Sequence, residues 1–214
     1  MDDAFGALMS VKRHVLGAEL QCKHRQGGKS KGEAGEMKQL KVKLTGISPL
    51  LMHRYLGEQP SAEKCPRGKK TQDWIDKQRR KQWFEAAYWI EGVGFHVPPE
   101  NIEAMLASGA KSIRMGTDFK KYVAVVDDTV PLLVGGKKAN GSLEAWYKPE
   151  HIDLRGVVIQ KARVDRCRPI FREWSVEFTV AYDETNITEE QVRKALDGQS
   201  LGDFRPRFGR FSVA

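Results

Sequence analysis

The chain has 214 residues, 40% of them hydrophobic, which predicts one substantial domain rather than two. Its formal net charge of +8 favours polyanionic partners, with nucleic acid first among them. Three scattered cysteines exclude a disulfide framework and predict a reducing, cytoplasmic setting. The sequence shows neither a secretion signal nor the roughly twenty apolar residues of a membrane span, so we expect a soluble protein without a membrane partner.

Residues 1–37 are predicted to form an arm and flexible linker ahead of a folded domain at 38–214. The segment from Cys22 to Met37 is rich in Gly, Lys and Ser, which cannot bury apolar area. Cys22 and His24 form a C-x-H pair without a second closely spaced pair, so we expect no metal site. No motif indicates a cofactor.

The first strand is predicted at LKVKLTG, where apolar and polar residues alternate with a period of two. Lys41 and Lys43 then lie on the face opposite the core. The segment PSAEKCPRGKK that follows at 60–70 is typical of an exposed loop.

A helix is predicted at 71–90, with a basic first half and an apolar second half, of which only the far end is expected to be buried. The Pro98-Pro99 pair is a typical helix start, and apolar residues follow it at helical spacing. The apolar runs 122–126 and 130–134 flank an Asp-Asp-Thr segment, which favours a β-hairpin.

The last third of the chain predicts strands at 157–164 and 174–182, separated by the turn or extended basic corner RCRPIFR. Thr188 and Gln191 form a capping box, and Ile187 and Val192 a hydrophobic staple, for a helix at 189–196. A closing strand is expected at 208–213.

This order predicts an α+β, ferredoxin-like or RRM-like fold with the order β-α-β-β-α-β and an insertion at about 92–150 that holds the extra helix and hairpin. Both core helices would cover one face of the sheet. The other face would present Lys41 and Lys43 together with Lys161 and Arg163 from the strand at 157–164. Such a basic open face is what a sheet-type RNA reader requires.

The segment LGDFRPRFGRFSV combines glycines, arginines and phenylalanines. Gly202 and Gly209 permit positive φ and close backbone approach, so amide groups can face a phosphate, while Arg205, Arg207 and Arg210 supply forked donors. The phenylalanines between them can stack bases. In the alternative interpretation, the phenylalanines belong to the core, the glycines shape a turn and the arginines are solvated.

Two segments resemble a known family. GVGFHVPPENIEAMLASGAK resembles the pattern of Gly, short strand, Pro and helix in the RAMP superfamily of CRISPR backbone and guide-processing proteins, and LGDFRPRFGRFSV resembles its glycine-rich loop before the last strand. The resemblance implies a ferredoxin-like fold, RNA binding, and assembly of several copies along a strand or within a ribonucleoprotein complex. The usual Ser and Gly at the helix start and the helical Arg after them are replaced by Pro99, Glu100 and Asn101. A bacteriophage or mobile-element relative fits as well as a CRISPR component.

We therefore predict a non-catalytic protein that binds single-stranded RNA or single-stranded DNA. Besides the residues above, the predicted contacts are His53, Arg54, Arg166, Arg168 and Arg172. The alternative interpretation of the arginines in KARVDR and RCRPIFR is a charged hairpin rim.

Two other function classes remain open. Some RAMP nucleases use a histidine near the first helix, which makes His53 the best candidate for the general base of a metal-independent endoribonuclease, with His96 and Arg54 as its partners. Isolated histidines more often have structural roles. The third class is a protein-binding module, such as a phage inhibitor that mimics a RAMP subunit.

Overall fold

The computed structural model describes residues 37–55, 71–159 and 162–214. Residues 1–36 of the predicted arm, the predicted loop at 60–70 and Lys161 lie outside these residues, whereas Met37 begins the first strand. The described part is α+β, with four α-helices and antiparallel strands in two sheets. None of its helices has the length and apolar composition needed to cross a membrane.

The strands and helices follow one another in the order below. The strands are β1 (Met37–Gly46), β2 (Leu50–Leu51), β3 (Trp89–Ile90), β4 (Gly94–Val97), β5 (Val123–Val125), β6 (Val130–Val134), β7 (Lys137–Lys138), β8 (Ile152–Ile159), β9 (Ala162–Phe171), β10 (Trp174–Asp183) and β11 (Phe211–Val213). The helices are α1 (Gln72–Ala86), α2 (Pro99–Gly109), α3 (Gly116–Tyr122) and α4 (Glu189–Leu196), with 3-10 turns at Ala110–Ile113, Leu143–Trp146 and Pro149–His151.

The larger sheet has the strand order β11-β1-β10-β6-β4-β3, and all of its pairs are antiparallel. β1 and β10 pair along their length, from Met37 opposite Asp183 to Thr45 opposite Ser175. The period of two predicted for β1 is confirmed, because Val42 and Leu44 are buried while Lys41 and Lys43 are exposed. The core lies on the buried face of this pair.

The prediction of a β-hairpin at 122–134 is wrong. β5 and β6 both pair with β10, so they run in the same direction as two parts of one interrupted strand. At the break, Val126 N donates to the carbonyl oxygen of Thr179 (2.9 Å) and the carboxylate of Asp127 accepts from Thr179 N (2.6 Å). A side chain thus replaces the missing backbone acceptor, and the Asp-Asp-Thr segment continues the strand instead of reversing it.

The smaller sheet has the order β2-β9-β8 and corrects two predictions. The segment 157–164 is not a strand of the larger sheet, because it contains the end of a long hairpin in which Ile159 pairs with Ala162. RCRPIFR is not a corner, because most of it lies within β9. Leu50 and Leu51 pair with Phe171 and Ile170, a contact across more than a hundred residues that no local pattern signals.

The predicted helix at 71–90 ends four residues early. α1 stops at Ala86, and β3 and β4 then form a hairpin in which Trp89 lies opposite Phe95. Gly92 and Gly94 adopt φ values of +84° and +96°, which favour glycine, and a Cβ on Gly94 would lie 2.3 Å from the carbonyl oxygen of Ala139. The hairpin makes His96 a neighbour of Tyr88, whose carbonyl oxygen accepts from His96 N (3.2 Å).

The starts of α2 and α4 agree with the predictions from sequence. α2 begins at Pro99, and α4 carries the capping box of Thr188 and Gln191, with Ile187 and Val192 both buried. The segment predicted as an insertion at 92–150, however, supplies β4, β5 and β6 to the larger sheet. The segment that lies outside that sheet is instead the hairpin of β8 and β9, which belongs to the smaller sheet.

Candidate nucleic-acid interface

The segment 201–210, called the terminal loop below, is held against the chain around β2 by backbone hydrogen bonds. Asp203 N donates to the carbonyl oxygen of Leu51 (2.9 Å), and Gly209 N donates to that of Pro49 (2.8 Å). The two ends of the loop are joined where Leu201 N donates to the carbonyl oxygen of Gly209 (2.9 Å). The loop therefore has a defined shape at its base.

The two glycines of the terminal loop serve this packing. Gly202 and Gly209 have φ values of +82° and +71°, and a Cβ would lie 2.5 Å from Leu51 O in the first case and 1.6 Å from Leu201 O in the second. Since the amide of Gly209 already donates within the chain, the prediction that it faces a phosphate is wrong. Here the turn-shaping alternative holds.

The three phenylalanines of the terminal segment differ in burial. Phe208 and Phe211 are buried, at 8% and 9% exposed, so the core interpretation holds for both. Phe204 is 39% exposed and adopts a positive φ of +53°, an unusual conformation for a residue with a side chain. Of the three rings, only Phe204 is on the surface.

Arg168, a predicted surface cation, is a buried structural residue. It is 4% exposed, its Nη1 lies 2.7 Å from Oδ2 of Asp203, and its guanidinium carbon lies 4.8 Å from the centroid of the Phe204 ring. Burial favours a paired arginine because an unpaired buried charge is strongly destabilising. Arg168 therefore ties the terminal loop to β9.

Arg155 supports the loop from β8 and was not identified from the sequence. It forms a two-pronged ion pair with Asp153, and its guanidinium carbon lies 4.6 Å from the centroid of the Phe208 ring and 5.6 Å from that of Phe204. A cation on the face of an aromatic ring is an attractive contact. No spacing along the chain relates Arg155 to these rings, so sequence patterns carry no signal for it.

The arginines at the tip and the far end of the terminal loop have a different environment. Arg205, Arg207 and Arg210 are exposed, and none forms an ion pair with a carboxylate of the described residues. Their forked donors face solvent on a loop whose base is anchored. They remain candidates for binding an anion.

Beside the loop lies a cleft of about 200 Å³, called the histidine cleft below. Its polar lining is formed by His53, Tyr88, His96, Asn101, Asp203 and Arg205, and Asp203 is the carboxylate that pairs with Arg168. The sequence analysis identified the two histidines and Arg205, but not Tyr88, Asn101 and Asp203. The glycine-rich turn of the β3–β4 hairpin was the available signal for Tyr88, because it brings Tyr88 beside His96.

The two histidines share an unusual environment. Within the described residues, the Nδ1 atoms of His53 and His96 are buried and have no hydrogen-bond partner. Burial lowers the pKa of His53, and the charge of Arg168 lowers it further while Asp203 raises it. Burial likewise lowers the pKa of His96, opposed in part by the backbone of Gly94. Both rings are therefore predominantly neutral at pH 7.

A second, smaller cleft shares His53 with the first, and its charged lining is formed by Arg54, Arg166 and Arg168 together with Glu85. Arg54 is exposed, and its backbone N–H donates to the carbonyl oxygen of Ala86 at the end of α1 (3.0 Å). The structure thus brings together these arginines, both histidines and Arg205. They come from four separate segments of the chain.

The other predicted contacts are not part of this surface. Lys43 pairs across the sheet with Glu177 (2.7 Å), which offsets the charge of the face that it shares with Lys41. Arg163 lies near the end of the β8–β9 hairpin, in a different sheet, so the predicted alignment of these residues on one open face is wrong. Arg172 is exposed after β9 and lines neither cleft.

Cations therefore flank a cleft whose floor is apolar, with Leu50, Met52 and Leu201 buried there. This arrangement can attract a phosphate and offer a ring-sized space beside it. Neither a known protein family nor a curated protein matches the sequence of the chain.

Proposed function

We propose that this protein binds a single-stranded nucleic acid, RNA in the first place, and does not cleave it. The observation that carries the proposal is the set of exposed arginines, Arg205, Arg207 and Arg210, on a loop anchored beside the histidine cleft. Arginine on an anchored loop binds phosphate with little loss of conformational freedom. The net charge of +8 favours the same partner.

The shape of the surface supports a single strand rather than a duplex. The adjoining clefts are small, and the histidine cleft has a volume of about 200 Å³ with apolar and polar walls. Duplex recognition requires an element that enters a groove, whereas single strands are bound by cations next to sites that accept separate bases.

We also propose a ferredoxin-like arrangement for the strands β1, β6, β10 and β11. The antiparallel order β11-β1-β10-β6 supports it, as do the helices between β1 and β6 and the position of α4 between β10 and β11. In this proposal β6 is the second strand of the core, in place of the segment 157–164. The hairpin of β8 and β9 is then an insertion between the second and third strands.

The resemblance to the RAMP superfamily agrees with this proposal. The segment 92–111 contains a turn at Gly92, the short strand β4, Pro98 and α2, in the order of the family pattern. On this basis we propose that several copies line up along one strand, or that the protein is a subunit of a cytoplasmic ribonucleoprotein complex, encoded by a phage or by a CRISPR system.

The test is binding of a fluorescently labelled single-stranded RNA in EDTA, measured by anisotropy. A variant with Arg205, Arg207 and Arg210 changed to Gln is expected to bind at least about tenfold more weakly, since each charge-assisted contact contributes about 1.5–3 kcal/mol when formed. The matched control changes Lys111, Lys120 and Lys121 to Gln, which removes the same charge from exposed positions outside both clefts. Equal losses in the two variants, or no binding by the wild type, contradict the proposal, and the latter favours the protein-binding class.

One observation favours a second candidate, a metal-independent endoribonuclease. His53 and His96 line the same cleft as Arg205, and their lowered pKa values keep them neutral, as a general base requires. Cleavage of the labelled RNA in EDTA that is lost in His53→Ala would establish this activity. We expect intact RNA after prolonged incubation instead.

A further inference from the structure

The histidine cleft combines a buried apolar floor with an open mouth. Leu50, Met52 and Leu201 are almost fully buried below it, and Pro98 and Ala104 border it from the start of α2. A flat ring with apolar faces fits such a space better than a tetrahedral phosphate, which needs donors on several sides. The volume of about 200 Å³ accommodates one ring system.

One nitrogen of each histidine in the cleft lacks the partner that buried polar groups normally have. The Nδ1 atoms of His53 and His96 are buried without a hydrogen-bond partner among the described residues. Asn101, in the first turn of α2, lines the same cleft and carries both a donor and an acceptor. A ligand with donors and acceptors along one edge can contact the exposed Asn101 and the histidine rings that line the cleft.

Cations line this cleft and the smaller cleft that adjoins it. Arg205 lines the histidine cleft itself, while Arg54 and Arg166 line the smaller cleft that begins at His53. In a nucleic-acid strand, each base is attached to a backbone that carries a phosphate on either side. A base placed in the histidine cleft can therefore have its two flanking phosphates near these arginines.

We infer that the histidine cleft holds one unstacked nucleobase of the bound strand, with Asn101 and the two histidines contacting the polar edge of the base. The inference rests on the proposed function and specifies what this part of the surface accepts. Tyr88, whose ring centroid lies 6.0 Å from that of His96, offers the aromatic wall. Sequence-specific recognition of RNA generally uses such unstacked bases.

The first experiment fills the cleft from its rim. Ala104→Phe adds a ring at an exposed position that lines the cleft, and Ser108→Phe adds the same ring one turn further along α2, at an exposed position outside it. We expect Ala104→Phe to bind a single-stranded oligonucleotide at least about fivefold more weakly, the effect of losing one stacked base, and Ser108→Phe to bind like the wild type. Thermal melting of both variants verifies that they fold.

An abasic strand separates the inference from the function on which it rests. On a strand of equal length without bases, Ala104→Phe and the wild type are expected to bind equally well. If Ala104→Phe binds the base-bearing strand as well as the wild type does, the inference is overturned while strand binding stands. If the wild type binds neither strand, both the function and the inference fail.

Small probes distinguish a base from a phosphate as the occupant. Adenosine and uridine, which carry no phosphate, are titrated into the full-length protein while the imidazole proton signals are followed by NMR, with inorganic phosphate in parallel. Assignment uses His53→Gln and His96→Gln. We expect a nucleoside to shift the signals of His53 and His96, and phosphate to leave them unchanged. Shifts produced by phosphate alone would identify an anion site and overturn the inference.

Discussion

Arginines in this protein differ in role according to their burial. Arg168 is buried and paired with Asp203, and Arg155 lies against aromatic rings, whereas Arg205 and Arg207 are exposed at the tip of the terminal loop. Water competes for an exposed guanidinium, so such a residue contributes little to stability and keeps its donors for a ligand. The buried arginines shape the loop, and the exposed ones are available to bind.

The variants Arg168→Met and Arg207→Met should separate these roles. Arg168→Met leaves Asp203 without its partner and is expected to lower the free energy of unfolding by about 1–3 kcal/mol, with the lower part of the range favoured because Asp203 is partly exposed. Arg207→Met should change it by less than about 0.5 kcal/mol and weaken RNA binding instead. Urea unfolding and anisotropy measure the two effects. Equal stability of the two variants would show that the Arg168–Asp203 pair is not structural.

Histidine titration gives a second prediction at this scale. His53 and His96 have folded-state pKa values below the ordinary 6.5, with burial as the main cause. The unfolded chain therefore binds more protons than the folded protein once the pH falls below about 6.5, so stability decreases toward acid and recovers above that pH. Urea unfolding between about pH 7.5 and pH 5 should show this loss.

The control for the pH experiment is the double variant His53→Gln, His96→Gln. This variant retains the carboxylates that also titrate toward acid. The difference between the two proteins therefore gives the contribution of the histidines to the pH dependence of stability. We expect a shallower decrease in the variant. Parallel curves would mean that neither ring is desolvated in the folded state.

At the scale of elements, side chains complete hydrogen bonding where backbone pairing stops. The capping box of Thr188 and Gln191 does so at the start of α4, and Asp127 does so where β5 and β6 are interrupted along β10. Buried amides without an acceptor are destabilising, so each interruption needs a polar side chain nearby. These residues determine where an element starts or continues.

The interruption between β5 and β6 provides a matched test. Asp127→Ala removes the acceptor of Thr179 N and is expected to lower the free energy of unfolding by about 1–3 kcal/mol. Asp128→Ala, at the next and exposed position, should have an effect below about 0.5 kcal/mol. Hydrogen exchange at the Thr179 amide should accelerate in the first variant only. Slow exchange in Asp127→Ala would indicate that another acceptor is present.

At the scale of the whole molecule, some positive side chains are paired with carboxylates and others are not. Lys43 pairs with Glu177, and Lys38 with Glu184, so part of the charge of the larger sheet is neutralised. The terminal loop retains exposed arginines without such partners among the described residues. Attraction of a polyanion therefore depends more on where the unpaired positive charges lie than on the net charge of +8.

Salt dependence measures how many phosphates the proposed RNA interface contacts. We expect the affinity for single-stranded RNA to fall linearly in a log–log plot between about 50 and 200 mM salt. Changing Arg205, Arg207 and Arg210 to Gln should reduce the slope by about 2, because each phosphate contact with a single strand contributes about 0.7. The control with Lys111, Lys120 and Lys121 changed should keep the wild-type slope. An unchanged slope in the arginine variant would place the contacts elsewhere.

Patterns within about ten residues were sufficient to predict β1, the start of α2 and the capped start of α4. Their signals are an alternation of burial, a proline pair and a capping box, and each arises from neighbours along the chain. The α+β class and the basic character of the terminal segment also follow from the sequence alone.

Pairing and burial across long sequence distances were decided only by the tertiary structure. β5 and β6 become one interrupted strand because β10 supplies the partners for both, and β2 pairs with β9 although the two are far apart in the chain. The same assembly buries Arg168 and brings His53 and His96 into the lining of one cleft. Local patterns record the preferences of neighbouring residues, whereas desolvation and strand pairing depend on which distant segments exclude water together.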